Sequence, residues 1–562
     1  MNANDDLAGT YDLIILGAGA AGMSAAVTGA SLGLSVLVAE ASTQVGGTTA
    51  ISAGSLWVPN SALDVWREEE PDAARTYLEA AVGNRSAEPL RRAFLDRGPE
   101  MIAYLSALGA IDLVAYPYHP DYLADAPGAV TRGRALGTRP FDGRRLGPDL
   151  SLLRAPPPEF TILGGMMVDR GDITHLLNVH RSLSSFLHAA RLVLRHGRDR
   201  VAGPRGTRLV MGNALAGRLL WSMRRLGVTV RTGARADEIL KLDGKAWGVS
   251  LGGASIRARL GVVVATGGFS HHPQLRDRLF PRPTAAHSAV PASTAGGGID
   301  LVLRAGGRLS QGHANAAFWA PASLRRRADG SLAVFPHFVL DRAKPGIIAI
   351  DGGGRRFVNE STSYQLFAEA MQRPGVMPCH LVCNGAFIRK YGLGMIRPLT
   401  RDLRPHLADG YVAEGATLSE LAARIGVDAA ALADSAARND RYARDGVDPD
   451  FGRGRNAYNR NLGDPAHGPN PSLGPIGEGP YYALSLHPAD IGTSIGVETD
   501  AHARVLDAAG MPIPGLYAAG NDMSSIMGGV YPGPGITIGP AMTFGYVAAR
   551  HAARDGDPGV PT

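Results

Sequence analysis

The first fifty residues show apolar runs separated by glycine-rich turns, in the order expected of a strand–helix–strand unit. Residues 12–16 form an apolar run of strand length, residues 23–32 a helical stretch, and residues 35–39 a second apolar run. Uninterrupted apolar runs of this length are typical of strands that are covered on both faces in a parallel sheet. The pattern therefore predicts an α/β fold that begins with a Rossmann-like unit.

Farther along the chain the pattern changes twice. Residues 213–226 have the spacing of an amphipathic helix, and residues 228–264 form short strands that turn at Asp243-Gly244 and Gly252-Gly253. Residues 291–474 mix strands with helical stretches near 417–445 and end in a segment rich in Pro, Gly and Asn. We therefore predict a discontinuous first domain, 1–290 with 475–562, and an inserted α+β domain, 291–474, that caps it.

Glycine is the strongest deviation in composition. It accounts for 73 of 562 residues, which is about twice its usual share of roughly 7%. The glycines cluster at 17–22, 46–54, 296–298, 351–354 and 528–539. Clustered glycine indicates backbone that turns sharply or approaches a ligand closely.

The first glycine cluster has the spacing of a dinucleotide-binding turn. Gly17, Gly19 and Gly22 follow the first predicted strand and open a helix, with Ala20 and Ala21 between them. Glu40 closes the second strand, at the distance where an acidic residue accepts hydrogen bonds from a ribose. This motif predicts a pyrophosphate at the helix N-terminus.

Three later segments favour FAD over NAD, because they are similar to the flavin contacts of the glutathione-reductase fold type. They are the glycine–hydroxyl cluster 46–54, the strand end 261–268 and the segment 515–521. We expect the remaining FAD contacts at Gly46, Gly47, Thr48, Thr49, Ser52, Ala53, Gly54, Ala236, Thr266, Gly267, Gly268, Gly520, Asn521, Gly535, Ile536 and Ile538.

The bulk properties exclude several classes of protein. The net charge of +6 would permit nucleic-acid binding, but no basic run points to it, and we expect none. Two cysteines, Cys379 and Cys383, are too few for a disulfide framework or a paired metal signature, so we expect no metal. The acidic N-terminal residues 1–9 and the lack of an 18-residue apolar run predict a cytoplasmic protein without a membrane span.

Residues 139–210 stand out as an additional element. After a segment rich in Pro, Gly and Arg, residues 180–200 place Leu183, Phe186, Leu187, Ala190 and Leu194 at helical spacing among basic residues. Two interpretations remain open. The helix either packs its apolar stripe on the core, or lies on the inner face of the cytoplasmic membrane as a basic amphipathic helix.

Residues 527–549, together with 515–522 and 46–60, resemble the 3-ketosteroid Δ1-dehydrogenase family of FAD-dependent, fumarate-reductase-like flavoproteins. The most specific part is the Tyr-Pro-Gly-Pro-Gly string at 531–535. The resemblance implies removal of two hydrogens from the C1–C2 bond of a 3-ketosteroid. It also implies an electron acceptor of the quinone or dye type.

The resemblance implies roles for four residues. Tyr531 and the backbone N–H of Gly535 would bind the C3 ketone, and Tyr364 would remove the proton at C2. A second tyrosine would assist Tyr364. We select Tyr118 for this role, with Tyr116 and Tyr122 as close alternatives.

Two other activities of related enzymes compete with this one. The Δ4-(5α)-dehydrogenases desaturate a neighbouring bond of the same steroid ring. Fumarate and urocanate reductases have an arginine at the sixth position of an Asn-Glu-x-x-x-Arg string, where this chain has Tyr364, and they clamp a dicarboxylate with an arginine that is missing from 528–541. The sequence therefore favours a dehydrogenase over a dicarboxylate reductase.

Overall fold

The computed structural model describes residues 9–65, 70, 72–282 and 286–556. Residues 1–8, which carry most of the acidic N-terminal segment, lie outside the described residues. The strands are, in chain order, β1 (Thr10–Leu16), β2 (Val36–Glu40), β3 (Leu56–Trp57), β4 (Leu113–Ala115), β5 (Ala135–Thr138), β6 (Phe141–Asp142), β7 (Thr161–Ile162), β8 (Met166–Met167), β9 (Arg208–Leu209), β10 (Thr229–Thr232), β11 (Ala236–Leu242), β12 (Lys245–Leu251), β13 (Ala254–Val264), β14 (Ala317–Arg326), β15 (Leu332–Pro336), β16 (Ile347–Ile350), β17 (Cys379–Asn384), β18 (Ala413–Gly415), β19 (Tyr481–Thr493), β20 (Arg504–Leu506) and β21 (Pro512–Ala518).

The helices follow the same chain order. They are α1 (Ala20–Ser31), α2 (Ala73–Val82), α3 (Glu88–Ala107), α4 (Arg170–Leu177), α5 (Leu183–Ala202), α6 (Met211–Arg225), α7 (Pro273–Leu279), α8 (Gly297–Arg304), α9 (Tyr364–Met371), α10 (Gly385–Tyr391), α11 (Arg404–Ala408), α12 (Leu418–Ile425), α13 (Ala429–Asp445), α14 (Ala457–Leu462) and α15 (Ile538–Gly556).

The first sheet is the predicted Rossmann-like sheet. Its strands run in the order β10-β2-β1-β13-β12-β11, and β21 also pairs with β13. The pairings of β1 with β2 and β13, of β2 with β10, and of β13 with β21 are parallel. Leu13, Ile14 and Ile15 of β1 are fully buried, as expected for a strand covered on both faces. The hairpins through β11, β12 and β13 match the predicted turns.

The second sheet belongs to the inserted domain and is entirely antiparallel. Its strands run in the order β15-β14-β19-β17-β16, and β18 pairs with β19. The predicted stretch 417–445 is helical, but it forms two helices, α12 and α13. They are separated at Gly426, which adopts a positive φ of 75° at the end of α12. A left-handed glycine of this kind ends a helix.

Both expected boundaries of the inserted domain have to move. The expected return to the first domain at 475 precedes β19, which lies in the middle of the second sheet. At the other boundary, α8 contacts the first domain, because Arg304 donates to the Asp237 carbonyl at 3.0 Å and Lys241 to the Ala305 carbonyl at 2.6 Å. The second sheet therefore begins with β14 and ends with β19.

Helix α5 turns its apolar stripe toward solvent. Leu183 and Leu194 are both 74% exposed, and Phe186 is 54% exposed. The opposite face, with Ala189 and Leu192, is the buried one. The helix therefore packs on the protein as a surface helix, but through the face opposite to the apolar stripe. No helix in the described parts of the chain is long and apolar enough to cross a bilayer.

Candidate active site

The segments predicted to bind the cofactor meet at one edge of the first sheet. Because β1, β2, β13 and β21 are parallel, their carboxyl ends lie on the same side, which is where α/β sheets bind ligands. The residues at this edge are Gly17–Gly22 after β1, Glu40 and 46–54 after β2, Thr266–Gly268 after β13, and Gly520 and Asn521 after β21. Ala236 begins β11, just after β10.

The turn between β1 and α1 requires two of its glycines for steric reasons. Gly17 has a φ of 102°, and a Cβ there would lie 2.3 Å from the Ala265 carbonyl oxygen. A Cβ on Gly22 would lie 2.0 Å from the Gly17 oxygen. A Cβ on Gly19 would contact nothing within 4 Å. Gly19 is the N-cap of α1 and provides no side-chain cap, so the helix N-terminus remains open to an anion.

The second loop packs against this turn. The Ala20 N–H donates to Thr49 Oγ1 at 3.1 Å, and Ser52 Oγ donates to the Thr49 carbonyl at 2.8 Å. Glu40 accepts from the backbone N–H groups of Ala18 and Ser42, both at 2.8 Å. The Glu40 carboxylate is therefore fixed in place at the end of β2, and burial raises its pKa.

A buried carboxylate that the sequence did not single out connects two of the segments. Asp522 is fully buried and accepts hydrogen bonds from the backbone N–H groups of Thr266, Gly267 and Gly268. Burial raises the pKa of Asp522, while these donors lower it. Asp522 therefore holds the strand end at 266–268 against Gly520 and Asn521. Its position directly after the Gly-Asn pair was the only signal in the sequence.

The last glycine cluster precedes α15. Gly535 has a φ of 88°, and a Cβ there would lie 2.2 Å from the Ser55 carbonyl oxygen. The Trp57 N–H donates to the Gly535 carbonyl at 3.2 Å. Ile536 and Ile538 are buried. The segment that carries Gly535 is thus fixed against β3, with no room for a side chain.

Four tyrosines form a buried cluster between the two domains. The ring of Tyr364 lies 4.9 Å from that of Tyr531 and 5.5 Å from that of Tyr122. Tyr122 also stacks on Tyr531 at 5.8 Å and lies 4.6 Å from Tyr458. Tyr364 comes from α9 of the inserted domain, and Tyr531 from the loop before α15.

The geometry distinguishes the three tyrosines that were candidates for the assisting role, and it favours Tyr122 over the selected Tyr118. Tyr118 is 47% exposed, whereas Tyr122 is 7% exposed and contacts Tyr364. Tyr116 contacts Ser55, with its hydroxyl 3.2 Å from Ser55 Oγ. The segment between β4 and β5 is irregular, so the sequence gave no periodicity from which to tell which of the three tyrosines faces inward.

Tyr122 is hydrogen-bonded through its backbone to the loop that carries Tyr531. Its backbone N–H donates to the Pro532 carbonyl at 2.8 Å, and the Tyr77 hydroxyl donates to the same carbonyl at 2.6 Å. Beside it, Asp121 accepts from Trp57 Nε1 at 2.8 Å and pairs with Arg134 at 2.7 Å. The relative positions of Tyr122 and Tyr531 are therefore set by backbone contacts.

Burial dominates the acid–base properties of the cluster. It raises the pKa values of Tyr122 and Tyr364 well above the ordinary value, and it also raises that of Tyr531. Burial lowers the pKa of the neighbouring His119 to about 4, so that imidazole is neutral near neutral pH. At rest the tyrosines are therefore neutral phenols, and a base among them has to form against the cost of desolvation.

A groove of about 450 Å³ adjoins Tyr531. Arg85, Asn315, Gln365 and Glu369 line its polar part. Glu369 accepts from Asn315 and Gln365, both at 2.9 Å. Arg85 donates to the Val82 carbonyl at 3.2 Å and forms no ion pair within the described residues. The groove therefore offers one guanidinium that is not neutralised by a carboxylate.

The sequence as a whole matches a family model described as an FAD binding domain, over residues 12–538. It is 36% identical to 3-oxosteroid 1-dehydrogenase of Mycolicibacterium smegmatis, over 97% of each chain. The chain belongs to the 3-ketosteroid Δ1-dehydrogenase family of FAD-dependent flavoproteins. It is an FAD-dependent oxidoreductase.

A second relative is named for a different activity. It is 4-oxocyclohex-2-ene-1-carboxylate 5-dehydrogenase of Sinomonas cyclohexanicum, which is 37% identical over 97% of this chain and 94% of its own length. Among solved structures, 3-ketosteroid Δ1-dehydrogenase from Sterolibacterium denitrificans, in complex with 1,4-androstadiene-3,17-dione, has a TM-score of 0.90 and 34% identity. The match extends over 97% of this chain and 100% of the solved chain.

The residues at the sheet edge fit the FAD of this flavoprotein. The N-terminus of α1 suits a pyrophosphate, because its N-cap Gly19 provides no side-chain cap and has open space where a Cβ would lie. Glu40 lies at the end of β2, at the position where an acidic residue binds the ribose next to the pyrophosphate. The predicted residues at 46–54 and 266–268 follow β2 and β13 at the same edge, and Gly535 lies against Ser55 and Leu56. Within the described residues no group of His, Cys, Asp and Glu side chains could hold a metal ion.

Proposed function

We propose that this flavoprotein catalyses the 1,2-dehydrogenation of 3-ketosteroids. The observation that carries the proposal is the buried contact among Tyr122, Tyr364 and Tyr531 next to the cofactor edge. A C–H bond beside a ketone becomes acidic only when the developing enolate oxygen is stabilised and a base lies near the carbon. The cluster offers both kinds of group in one buried place.

In this proposal Tyr531 and Gly535 bind the C3 ketone. The Tyr531 hydroxyl and the Gly535 backbone N–H each donate one hydrogen bond to the carbonyl oxygen. The donors need no reorganisation, because Pro532 and Pro534 restrict the connecting loop and the Gly535 carbonyl is held by Trp57. Such a fixed pair would stabilise negative charge as it develops on the oxygen.

Tyr364 is the proposed base that takes the proton from C2. Tyr122 assists it in place of Tyr118, because a hydrogen bond from the Tyr122 hydroxyl would stabilise the Tyr364 phenolate. When bound, FAD supplies the acceptor for the hydride that leaves C1. A quinone or dye-like acceptor would then take the electrons.

The proposal is tested by anaerobic reduction of the FAD-loaded protein. Adding 4-androstene-3,17-dione should bleach the flavin absorbance, and the product should carry a new C1–C2 double bond. Failure of every 3-ketosteroid to bleach the flavin, while fumarate reoxidises flavin that has been reduced chemically, would instead indicate a dicarboxylate reductase.

The two rival activities have weaker support. A 3-ketosteroid Δ4-(5α)-dehydrogenase from Rhodococcus jostii has a TM-score of 0.64 at 21% identity, which supports the fold alone. Reduction of fumarate would need an arginine as proton donor, and Tyr364 stands at that position of the string. Neither rival accounts for the tyrosine cluster as well as 1,2-dehydrogenation does.

A second candidate substrate is a monocyclic oxo-carboxylic acid. Two relatives are named for such substrates, at 37% and 34% identity, and the groove beside Tyr531 contains the Arg85 guanidinium. The chemistry at the ketone would be the same, and Arg85 would bind the carboxylate at the far end of the ring.

A variant pair separates the two substrates. Arg85→Gln should raise KM for 4-oxocyclohexanecarboxylate about tenfold or more, if a charged hydrogen bond of about 1.5 kcal/mol or more is lost, and should leave KM for a neutral steroid unchanged. Arg92→Gln, on the exposed face of α3, is the matched control. No turnover of the oxo-acid by the unaltered protein would exclude this candidate.

Helix α5 also supports peripheral contact with an anionic membrane surface. Leu183, Phe186 and Leu194 form an exposed stripe, and the exposed Arg191 and Arg198 lie beside it. An apolar stripe with adjacent cations fits the boundary between acyl chains and anionic headgroups. Arg195 belongs to the fold instead, because it pairs with Asp142 at 3.3 Å. Contact of this kind would bring a lipid-dissolved steroid close to the protein.

A further inference from the structure

Helix α14 (Ala457–Leu462) lies against both of the segments that carry Tyr122 and Tyr364, although it has only six residues. The helix belongs to the inserted domain, between β18 and β19. Tyr122 lies in the loop between β4 and β5 of the first domain, whereas Tyr364 begins α9 of the inserted domain. Tyr458 of α14 is fully buried and packs on the Tyr122 ring, with 4.6 Å between the ring centroids.

The N-cap residue of α14 makes a hydrogen bond across the domain interface. Asn456 Nδ2 donates to Asp125 Oδ2 at 2.8 Å, and Asp125 lies three residues after Tyr122. Asn456 Oδ1 accepts from the Asn459 N–H at 3.0 Å, which caps the helix. The same side chain therefore begins α14 and connects it to the loop of Tyr122. That loop is held in turn by the Tyr122 N–H, which donates to the Pro532 carbonyl at 2.8 Å.

Asn459 connects α14 to the segment that precedes Tyr364. Asn459 is 3% exposed, and its Nδ2 donates to the Ser361 carbonyl at 3.0 Å. Its Oδ1 accepts from Asn359 Nδ2 at 2.8 Å. Only two residues separate Ser361 from Tyr364, and the second of them, Ser363, is the N-cap of α9. A shift of Asn459 would therefore be transmitted to the start of α9.

The helix is also hydrogen-bonded to the rest of the inserted domain. Lys344 Nζ donates to the Leu462 and Gly463 carbonyls at 2.8 and 2.7 Å. Ser472 Oγ donates to the Asn459 carbonyl at 2.7 Å. These donors satisfy carbonyls at the helix C-terminus, where no further turn could do so. The position of α14 in the inserted domain is thus set independently of its contact with the first domain.

We infer that Asn456 and Asn459 are positioning residues that set the distance between Tyr122 and Tyr364 across the domain interface. The inference rests on the proposed function, in which Tyr364 is the base and Tyr122 assists it. The two rings lie 5.5 Å apart, and α14 is hydrogen-bonded next to each of them. A misplacement of about 1 Å can lower a rate by about 10²-fold, so these asparagines can control turnover without contacting the substrate.

The first test needs no substrate. Hydrogen exchange is measured in the FAD-loaded protein and in Asn456→Ser, which keeps an N-cap acceptor and loses the donor to Asp125. Exchange in residues 119–126, corrected for the intrinsic rate of each sequence, should become about twofold faster or more, the lower limit for loss of one hydrogen bond.

A double-mutant cycle shows whether the contact itself is responsible. Asp125→Ala should accelerate exchange in 119–126 as much as Asn456→Ser does. The double variant should exchange no faster than either single variant, because both changes remove the same hydrogen bond. Additive effects of the two changes, or unchanged exchange in both single variants, would overturn the role of Asn456.

The second test uses kinetics. Asn459→Ala should lower the rate of anaerobic flavin reduction at saturating 3-ketosteroid by about 10–100-fold. The steroid concentration at half-maximal rate should stay within about threefold, because Asn459 does not line the ketone site. A loss that appears only in this concentration would indicate a role in binding and overturn the inference.

Asn439→Ala is the matched control for Asn459→Ala. Asn439 is also a fully buried amide of the inserted domain, and it donates to the Gly474 carbonyl at 3.0 Å. None of its hydrogen bonds within the described residues reaches the tyrosine cluster. The two variants should lose similar thermal stability, but Asn439→Ala should keep its rate. An equal loss of rate in both would overturn the inference, since it would indicate a general effect of losing a buried amide.

The two tests separate the inference from the proposed function. If the variants change exchange but no 3-ketosteroid reduces the flavin of the unaltered protein, the proposed function fails and the connection through α14 stands. If the unaltered protein is active and Asn459→Ala keeps its rate, the positioning role fails and the proposed function stands. If Asn459→Ala does not retain FAD, Asn456→Ser and Asp125→Ala decide. Both should lower the rate by about threefold to tenfold, and unchanged rates in both would contradict the inference.

Discussion

The ring of Tyr364 meets the ring of Tyr531 at 4.9 Å and an angle of 65°. Tyr364 begins α9 of the inserted domain, and Tyr531 precedes α15 of the FAD-binding domain. The proposed base and the proposed ketone donor therefore come from different domains. Any change in how the domains pack would change the distance between these two groups, so catalysis and domain packing are coupled.

Removing the proposed base should separate binding from turnover. Tyr364→Phe keeps the ring and its contacts with Phe338 and Tyr531, so steroid affinity should stay within about threefold. Turnover should fall by about 10²–10⁴, the usual contribution of general base catalysis. Steady-state kinetics and a steroid-binding titration measure the two quantities. Unchanged turnover would exclude Tyr364 as the base.

The rate of flavin reduction should rise with pH. The active form of Tyr364 is the phenolate, and burial raises the pKa of this tyrosine well above its ordinary value. Below that pKa the phenolate fraction, and with it the rate, should increase about tenfold per pH unit. Stopped-flow measurements across the alkaline range test this slope. A rate that falls as pH rises would indicate a group that must be protonated.

Tyr531→Phe should weaken catalysis by removing one hydrogen-bond donor to the ketone. Loss of a donor of the oxyanion type typically lowers kcat by about 10²–10³. The ring still packs on Phe318 at 5.2 Å, so the fold should be retained. Substrate analogues that lack the ketone should bind equally to both proteins. A rise in KM with an unchanged kcat would instead assign Tyr531 to binding alone.

Two neighbouring tyrosines should differ sharply in their effects. Tyr122→Phe removes the hydroxyl of a buried tyrosine whose ring contacts that of Tyr364, and it should lower turnover by about tenfold or more, in line with a pKa shift of about one unit or more. Tyr118→Phe is the internal control, because Tyr118 is 47% exposed. Its turnover should match the unaltered protein. The reverse pattern would restore Tyr118 as the assisting residue.

Helix α5 should bind vesicles that contain anionic lipid. Replacing Leu183 and Leu194 with serine removes two side chains that are each 74% exposed and should weaken co-sedimentation without loss of FAD. Arg191→Glu with Arg198→Glu should weaken it further and remove its salt dependence. The opposite face of α5, which carries the buried Ala189, is left unchanged in these variants, since that face packs on the protein. Equal co-sedimentation of all variants would contradict membrane contact through α5.

Much of the fold could be predicted from the sequence, because local patterns specify it. The run at 12–16 lies in β1, and the glycine spacing correctly placed the turn before α1. The domain boundaries could not be read in the same way. The residues of β19 are locally like any other strand, and only pairing with β14 and β17 assigns them to the inserted domain. Long-range pairing leaves no local signal.

The residues of the candidate site differ in the same way, because some lie in local motifs and others are brought to the site only by long-range packing. Tyr364 and Tyr531 lie in motifs with fixed spacing, and the structure brings them together. Tyr122 and Tyr458 come from irregular or distant segments, and only burial distinguishes them from other tyrosines. Asp522 is similar, since its role depends on three backbone N–H groups at the end of β13.

The most direct measurement locates the new double bond in the product. The FAD-loaded protein is incubated with 4-androstene-3,17-dione and an artificial electron acceptor, and the product is analysed by mass spectrometry and NMR. The account predicts loss of two hydrogens, with the new double bond between C1 and C2, and no product from Tyr364→Phe beyond a trace. Desaturation at another bond, or flavin reduction by monocyclic oxo-acids but by no steroid, would contradict it.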